Sequence, residues 1–144
     1  LEAWLEHGEF VSLQGLDFTA DGRTLYVADY ANGIWAIDVA TKNPTLLRPA
    51  EDTSLFGLDD LHFRDGALIA VQNGVAPVRI VRLTLGAEVR ATVLARSLDP
   101  IADAATGTLI GDRFVFVGNS GWSLFEGAKT EPAARDILLL ALSL

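Results

Sequence analysis

The acidic residues carry most of the chemical content of this chain. Asp59 and Asp60 are adjacent. Neighbouring side chains on a strand point to opposite faces, so this pair is expected to diverge rather than share a proton as a catalytic dyad. A general-base role for either is the minor alternative. The two histidines, His7 and His62, sit in no H-x-x-H or H-E-x-x-H spacing, so no zinc site is indicated. The chain has no cysteine, which excludes disulfides, thiolate metal sites and a cysteine nucleophile. No G-x-S-x-G turn and no Ser–His–Asp set is evident. There is no phosphate-binding glycine loop and no dinucleotide fingerprint, and Asn43-Pro44-Thr45 fails as a glycosylation acceptor because proline occupies the middle position. No residue is therefore nominated as catalytic.

Composition narrows the partners. Nineteen acids face 11 bases for a net charge of −8, which argues against nucleic acid or an anionic membrane as the partner. Half the residues are hydrophobic, enough to bury a core. The longest apolar run, Ile137 to Leu142, is far short of the roughly 18–20 residues of a membrane-spanning helix. Leu1-Glu2-Ala3-Trp4 has no basic region typical of a signal peptide. The chain contains no methionine and reads as a processed product or a piece of something longer.

The elements that must position any site come from an internal repeat. Gly15-Leu16-Asp17 recurs as Gly57-Leu58-Asp59, and Asp21-Gly22 recurs as Asp65-Gly66. Each Asp-Gly precedes an apolar run, first Leu25-Tyr26-Val27-Ala28 and then Leu68-Ile69-Ala70-Val71. A looser third copy is Gly111-Asp112 before Phe114-Val115-Phe116-Val117. The spacing, about 42–46 residues, is that of an array of supersecondary units. The runs are short, rich in β-branched and aromatic residues, and bounded by Gly, Asp, Asn or Pro, so they read as strands. Unit one predicts strands at 14–18, 24–29, 33–38 and 44–48. Unit two predicts 57–63, 67–72, 78–84 and 89–95, and unit three 104–110, 113–118 and 135–143. No window shows a helical apolar period, and the chain is read as all-β.

Four short antiparallel strands, repeated, describe β-propeller blades; a sandwich would need about seven strands and no repeat. The chain is then a single domain of about three blades: 13–50, 51–98, and 99–144 lacking its outer strand. Residues 1–12, with a strand at 2–6, would supply an outer strand to a neighbouring blade. Three blades fall below the usual minimum of about four, so two copies in a C₂ homodimer would give a six-bladed ring. The alternative partner is a missing N-terminal half. Trp35 is expected to wedge between blades, and His7 and His62 to be structural or surface residues.

The segment Leu13-Gln14-Gly15-Leu16-Asp17-Phe18 through Asp21-Gly22-Arg23-Thr24-Leu25-Tyr26-Val27-Ala28-Asp29 resembles the blade signature of the senescence-marker-protein/gluconolactonase-like family, and also NHL-repeat propellers. Phe56-Gly57-Leu58-Asp59-Asp60-Leu61 and Leu68-Ile69-Ala70-Val71-Gln72-Asn73-Gly74 fit the next blade. Phe114-Val115-Phe116-Val117-Gly118-Asn119-Ser120-Gly121-Trp122 resembles the last. The resemblance covers nearly the whole chain but matches only the C-terminal half of a family member.

The resemblance implies a six-bladed propeller whose channel holds a divalent metal. It places Gln14 where the family has an asparagine ligand and Asp59 nearest its aspartate, while Asp103, at the start of the third inner strand, would also face the channel. Hard oxygen donors suit Ca²⁺ or another divalent cation. The other reading is that these groups cap strand ends in a wet channel. Asp60, Asn73, Asn119 and Trp122 complete the candidate ligand-binding set for a small molecule in the channel. Function is expected to be that of a half-propeller binding or scaffold module, with a metal-dependent lactonase or related hydrolase as the alternative.

Overall fold

The computed structural model describes residues 1–96, 103–121 and 137–144. These contain no helix and eleven strands in three antiparallel sheets. In the first sheet, β1 (Leu13–Phe18), β2 (Thr24–Asp29), β3 (Gly33–Asp38) and β4 (Pro44–Leu46) lie side by side in chain order. The second repeats this with β5 (Leu58–Arg64), β6 (Ala67–Gln72), β7 (Arg79–Thr84) and β8 (Arg90–Arg96). The third has β9 (Gly107–Ile110), β10 (Arg113–Asn119) and β11 (Leu138–Ser143), with β10 in the middle.

Local chemistry explains the hairpins. Arg64 pairs with Ala67, leaving the two-residue turn Asp65-Gly66, both at positive φ (48° and 74°). An aspartate followed by glycine tolerates that conformation, and its twist matches the flanking strands. Ten of the eleven strands lie close to the ranges expected from sequence. The exception is β9, which opens at Gly107 rather than 104, because residues 103–106 run beside the end of β10 through Asp103 N–H to Gly118 C=O and Ala105 N–H to Val117 C=O. The early part of the expected strand 135–143 lies outside the described residues.

Alternation along the middle strands builds the core. Ala28 and Ile34 of the first sheet meet Leu58, Leu61, Leu68, Ala70, Val81 and Leu83 of the second. On the second sheet's other face, Ile69, Val71 and Ile80 meet Phe114 and Phe116 of the third. β6 is therefore buried along its whole length. At about 25 cal/mol per Å² of apolar surface removed from water, this double burial makes the second sheet the centre of stability.

Residues 2–6 do not form a strand. The segment instead lies across the outer face of its own sheet, where Leu5 and Phe10 pack on Leu25, Val27, Trp35 and Ile37. Trp35 is thus buried under the chain's own N-terminal segment. Its indole N–H donates to Asp29 Oδ2 (3.2 Å). His7 joins the same cluster, its ring 5.5 Å from that of Trp35.

Carboxylates stitch the sheets together at their first strands. Asp17 Oδ2 on β1 accepts the Phe63 N–H of β5 (2.8 Å). Asp60 Oδ2 on β5 accepts the Gly107 N–H of β9 (2.7 Å) and the Thr106 hydroxyl (3.1 Å). The approach is close: a Cβ on Gly15 would lie 2.6 Å from Asp60 Oδ1 and 2.7 Å from the Asp60 Cα. Gly15→Ala is expected to lower unfolding free energy by about 1–3 kcal/mol, the usual cost of overpacking. Gly8→Ala, with nothing within 4 Å, should be silent. Urea titration of both variants checks this.

Candidate functional site

One end of the three first strands opens into a polar cleft of about 740 Å³. Its floor is set by backbone bonds at the strand ends. The Tyr30 N–H donates to Ser12 C=O, the Gly57 N–H to Tyr30 C=O, and the Gly74 N–H to Gly57 C=O. Gly57 and Gly74 touch so closely that a Cβ on Gly57 would lie 2.5 Å from the Gly74 Cα. Tyr30 lies over this contact, its hydroxyl 2.8 Å from where a Gly74 Cβ would be.

A recurring pair of residues builds the rim. The second strand of each sheet ends in a buried polar residue, Asp29, Gln72 or Asn119. Asp29 accepts the Val11 and Ser12 N–H groups leading into β1. Burial alone would raise the Asp29 carboxyl, but these bonds, with those from Trp35 and Ala31, hold it below the usual value. Gln72 Nε2 donates to the Ser54 and Phe56 carbonyls leading into β5. Asn119 Oδ1 accepts the Gly121 N–H. The residue after each, Tyr30, Asn73 or Ser120, lines the cleft.

Gln14, Asp59 and Asp103, expected from the family resemblance, all line this cleft, together with Asn73. A register shift between Leu58 and Asp60 leaves Asp59 out of the ladder and turns it into the cleft. Asn73 Nδ2 donates to Asp59 Oδ2 (2.9 Å) and to Ala104 C=O (3.0 Å), bridging the second and third sheets. Asn73 Oδ1 is buried with no hydrogen-bond partner among the described residues. Burial raises the Asp59 carboxyl; the Asn73 bond opposes this, and the Asp60 and Asp103 charges add to it. Burial, and then the Asp59 charge, raise the Tyr30 phenol. The Ser120 hydroxyl and N–H both donate to Asp103. Asp103 forms a single bridge to Asn119 before β9 begins, rather than opening that strand.

Asp60 and Asn119 are placed elsewhere. Asp60 diverges from Asp59 into the buried seam, where its two oxygens take donors from Leu61, His62, Thr106 and Gly107. Asn119 is buried at the end of β10. Trp122 lies outside the described residues. Ser12, Tyr30 and Ser120 were not singled out from sequence. The signal for Tyr30 and Ser120 was the repeated polar couple Asp29-Tyr30, Gln72-Asn73 and Asn119-Ser120 at the strand exits.

The donor set does not make a metal centre. It offers two carboxylates, with amide oxygens from Gln14 and Asn73, and among the described residues no three Asp, Glu, His or Cys side chains group to hold an ion. A divalent ion fits the hardness of these donors but lacks a complete shell, and no reaction step is derived through one. No basic side chain lines the cleft among the described residues, so its potential is negative. Comparison with family models, curated proteins and solved structures returned no match.

The seam beside the cleft titrates. His62 Nε2 lies 3.0 Å from Asp60 Oδ2. That hydrogen bond raises the histidine above its ordinary value of 6.5, against the opposing effect of burial. A raised folded-state value stabilises fully below the unfolded value and is lost as pH climbs through the folded one. Stability is therefore expected to fall as pH rises from below the ordinary histidine value of 6.5 through the raised folded-state value, with His62→Gln removing this contribution. Denaturant midpoints of both proteins across that range measure it.

Proposed function

We propose that the three sheets are propeller blades, that two copies of the chain close a six-bladed ring, and that the cleft at one mouth of its channel binds a small polar molecule. The observation that carries this reading is the set of apolar side chains left exposed on the outer face of each terminal sheet. That face is part-covered by Leu5 and Phe10 on the first sheet and without cover among the described residues on the third. On the first sheet, Leu16 and Phe18 share a face with Val27 and Leu25 yet stay 56% and 45% exposed. On the third, β11 turns Leu140 and Leu142 into the core and leaves Leu139 at 74% exposure, on the same face as Ile110 at 59%. Apolar side chains left exposed on the face of an otherwise packed sheet point to an interaction site.

The two seams inside the chain supply the pattern for a third. β1 lies against β5, and β5 against β9, each held by a carboxylate and flanked by apolar faces. Placing the third sheet of one copy against the first of another repeats the apolar part of that pattern, β9 carrying no carboxylate, and two-fold symmetry closes the ring. Closure also surrounds the acidic cleft with a second set of the same groups. A lactonase-like hydrolase reading is weaker, because the cleft offers too few donors for the metal that such chemistry requires.

Leu16→Asp and Leu139→Asp each place a charge on a docking face that is exposed in the single chain. Each is expected to weaken self-association by at least about tenfold, a change of about 1.4 kcal/mol, while leaving the fold intact. Sedimentation equilibrium compares them with the parent chain and with Glu51→Gln as a surface control. A parent chain that stays monomeric at every concentration overturns the proposal.

A further inference from the structure

The N-terminal segment occupies ground that ring closure needs. The outer face of the first sheet presents Leu25, Val27, Trp35 and Ile37 from its two middle strands. Leu5 and Phe10 cover these four, while Leu16 and Phe18 beside them remain bare. The Phe10 ring meets Trp35 edge-on at 5.3 Å, and His7 packs on both. The cover is incomplete and lightly tethered. Lys42 Nζ donates to Trp4 C=O (2.8 Å) and lies 5.2 Å from the Trp4 ring centroid. Asn32 Nδ2 donates to Glu9 C=O (2.9 Å). The segment forms no strand with the sheet beneath it.

At both seams inside the chain, one sheet lays its middle-strand side chains directly on those of the next. Ala28 and Ile34 share a cluster with Leu68 and Ala70, and Ile69 and Val71 share one with Phe114 and Phe116. A partner's third sheet docked in the same way needs contact with Val27 and Trp35. Leu5 and Phe10 already hold that position, and two layers cannot share it. We infer that residues 4–10 are an intramolecular strap that competes with a second copy of the chain for the first sheet's outer face. This inference rests on the proposed docking of the third sheet onto the first. Association then includes the cost of lifting the strap, and weakening the strap tightens association.

Two full-length variants test it. Leu5→Ser with Phe10→Ser removes the strap's apolar anchors, and Lys42→Ala removes a tether without touching the core. The anchor variant is expected to associate about tenfold more tightly than the parent chain, and the tether variant about two- to threefold more tightly. Cleavage after Glu6 and Glu9 by a glutamate-specific protease reports the strap directly. It should speed up as the parent chain is concentrated from monomer to dimer. If the parent dimerises but both variants associate equally or more weakly, and cleavage does not accelerate, the strap belongs to the interface and the inference is wrong while the docking stands. If neither the parent nor the variants associate, the docking itself fails, and the competition with it.

Discussion

A sheet whose middle strands are apolar on both faces must be covered on both faces. That constraint organises the whole molecule. β6 meets it completely, with Leu68 and Ala70 turned toward the first sheet and Ile69 and Val71 toward the third. β2 and β10 have the same two-sided character but are covered by a neighbouring sheet on one side only. On β2 the far side is part-covered by Leu5 and Phe10. On the third sheet, Leu139 and Ile110 face outward with no cover among the described residues. The chain therefore satisfies its central burial requirement and leaves the same requirement open at both ends, which is the basis for proposing a ring.

The stacking that buries these faces also makes the polar cleft. Sheets packed face to face bring their first strands together, and backbone N–H groups there need acceptors. Asp17 and Asp60 supply them across the two seams. Beyond the seams, the strand exits bring Tyr30, Asn73 and Ser120 toward a common centre. Asp29 and Gln72 fix the entering chain at that end by holding the backbone at Ser12 and at Ser54 and Phe56. The cleft's acidity follows from this architecture. Asp60 is consumed by the seam, whereas Asp59, one residue away and displaced by the register shift, is left to face the opening.

Much of this was legible in the sequence, for identifiable reasons. Asp65-Gly66 marks a turn because few other residues tolerate its two positive φ angles, and Gly33 (φ 122°) does so after Asn32, so strand boundaries nearby were well set. Period-two alternation led to the expectation that Asp59 and Asp60 diverge, and they do so through the register shift that takes Asp59 out of the ladder. Gln14 and Asp59 were singled out by the family resemblance, and Asp103 as the expected start of the third inner strand, and all three line one cleft. Long-range partnership was not legible. Residues 2–6 have a pattern compatible with a strand, but what the segment meets is not decided locally, and here the apolar face of the first sheet captures it instead. Asp60 looked like a channel residue because nothing local reveals that Thr106 and Gly107 will come to meet it. Tyr30 and Ser120 were missed because each is meaningful only as the second member of a couple that recurs once per sheet.

The central claim is that the first sheet of one copy meets the third sheet of another. Because the chain contains no cysteine, a Leu16→Cys/Thr108→Cys double variant carries thiols only on those two faces, on β1 and β9. Oxidation or a short bismaleimide should join position 16 of one copy to position 108 of the other at both seams, giving a covalent dimer that grows no further. Links joining 16 to 16 or 108 to 108, an open-ended ladder of larger species, or no linkage at concentrations where the parent chain associates would contradict it.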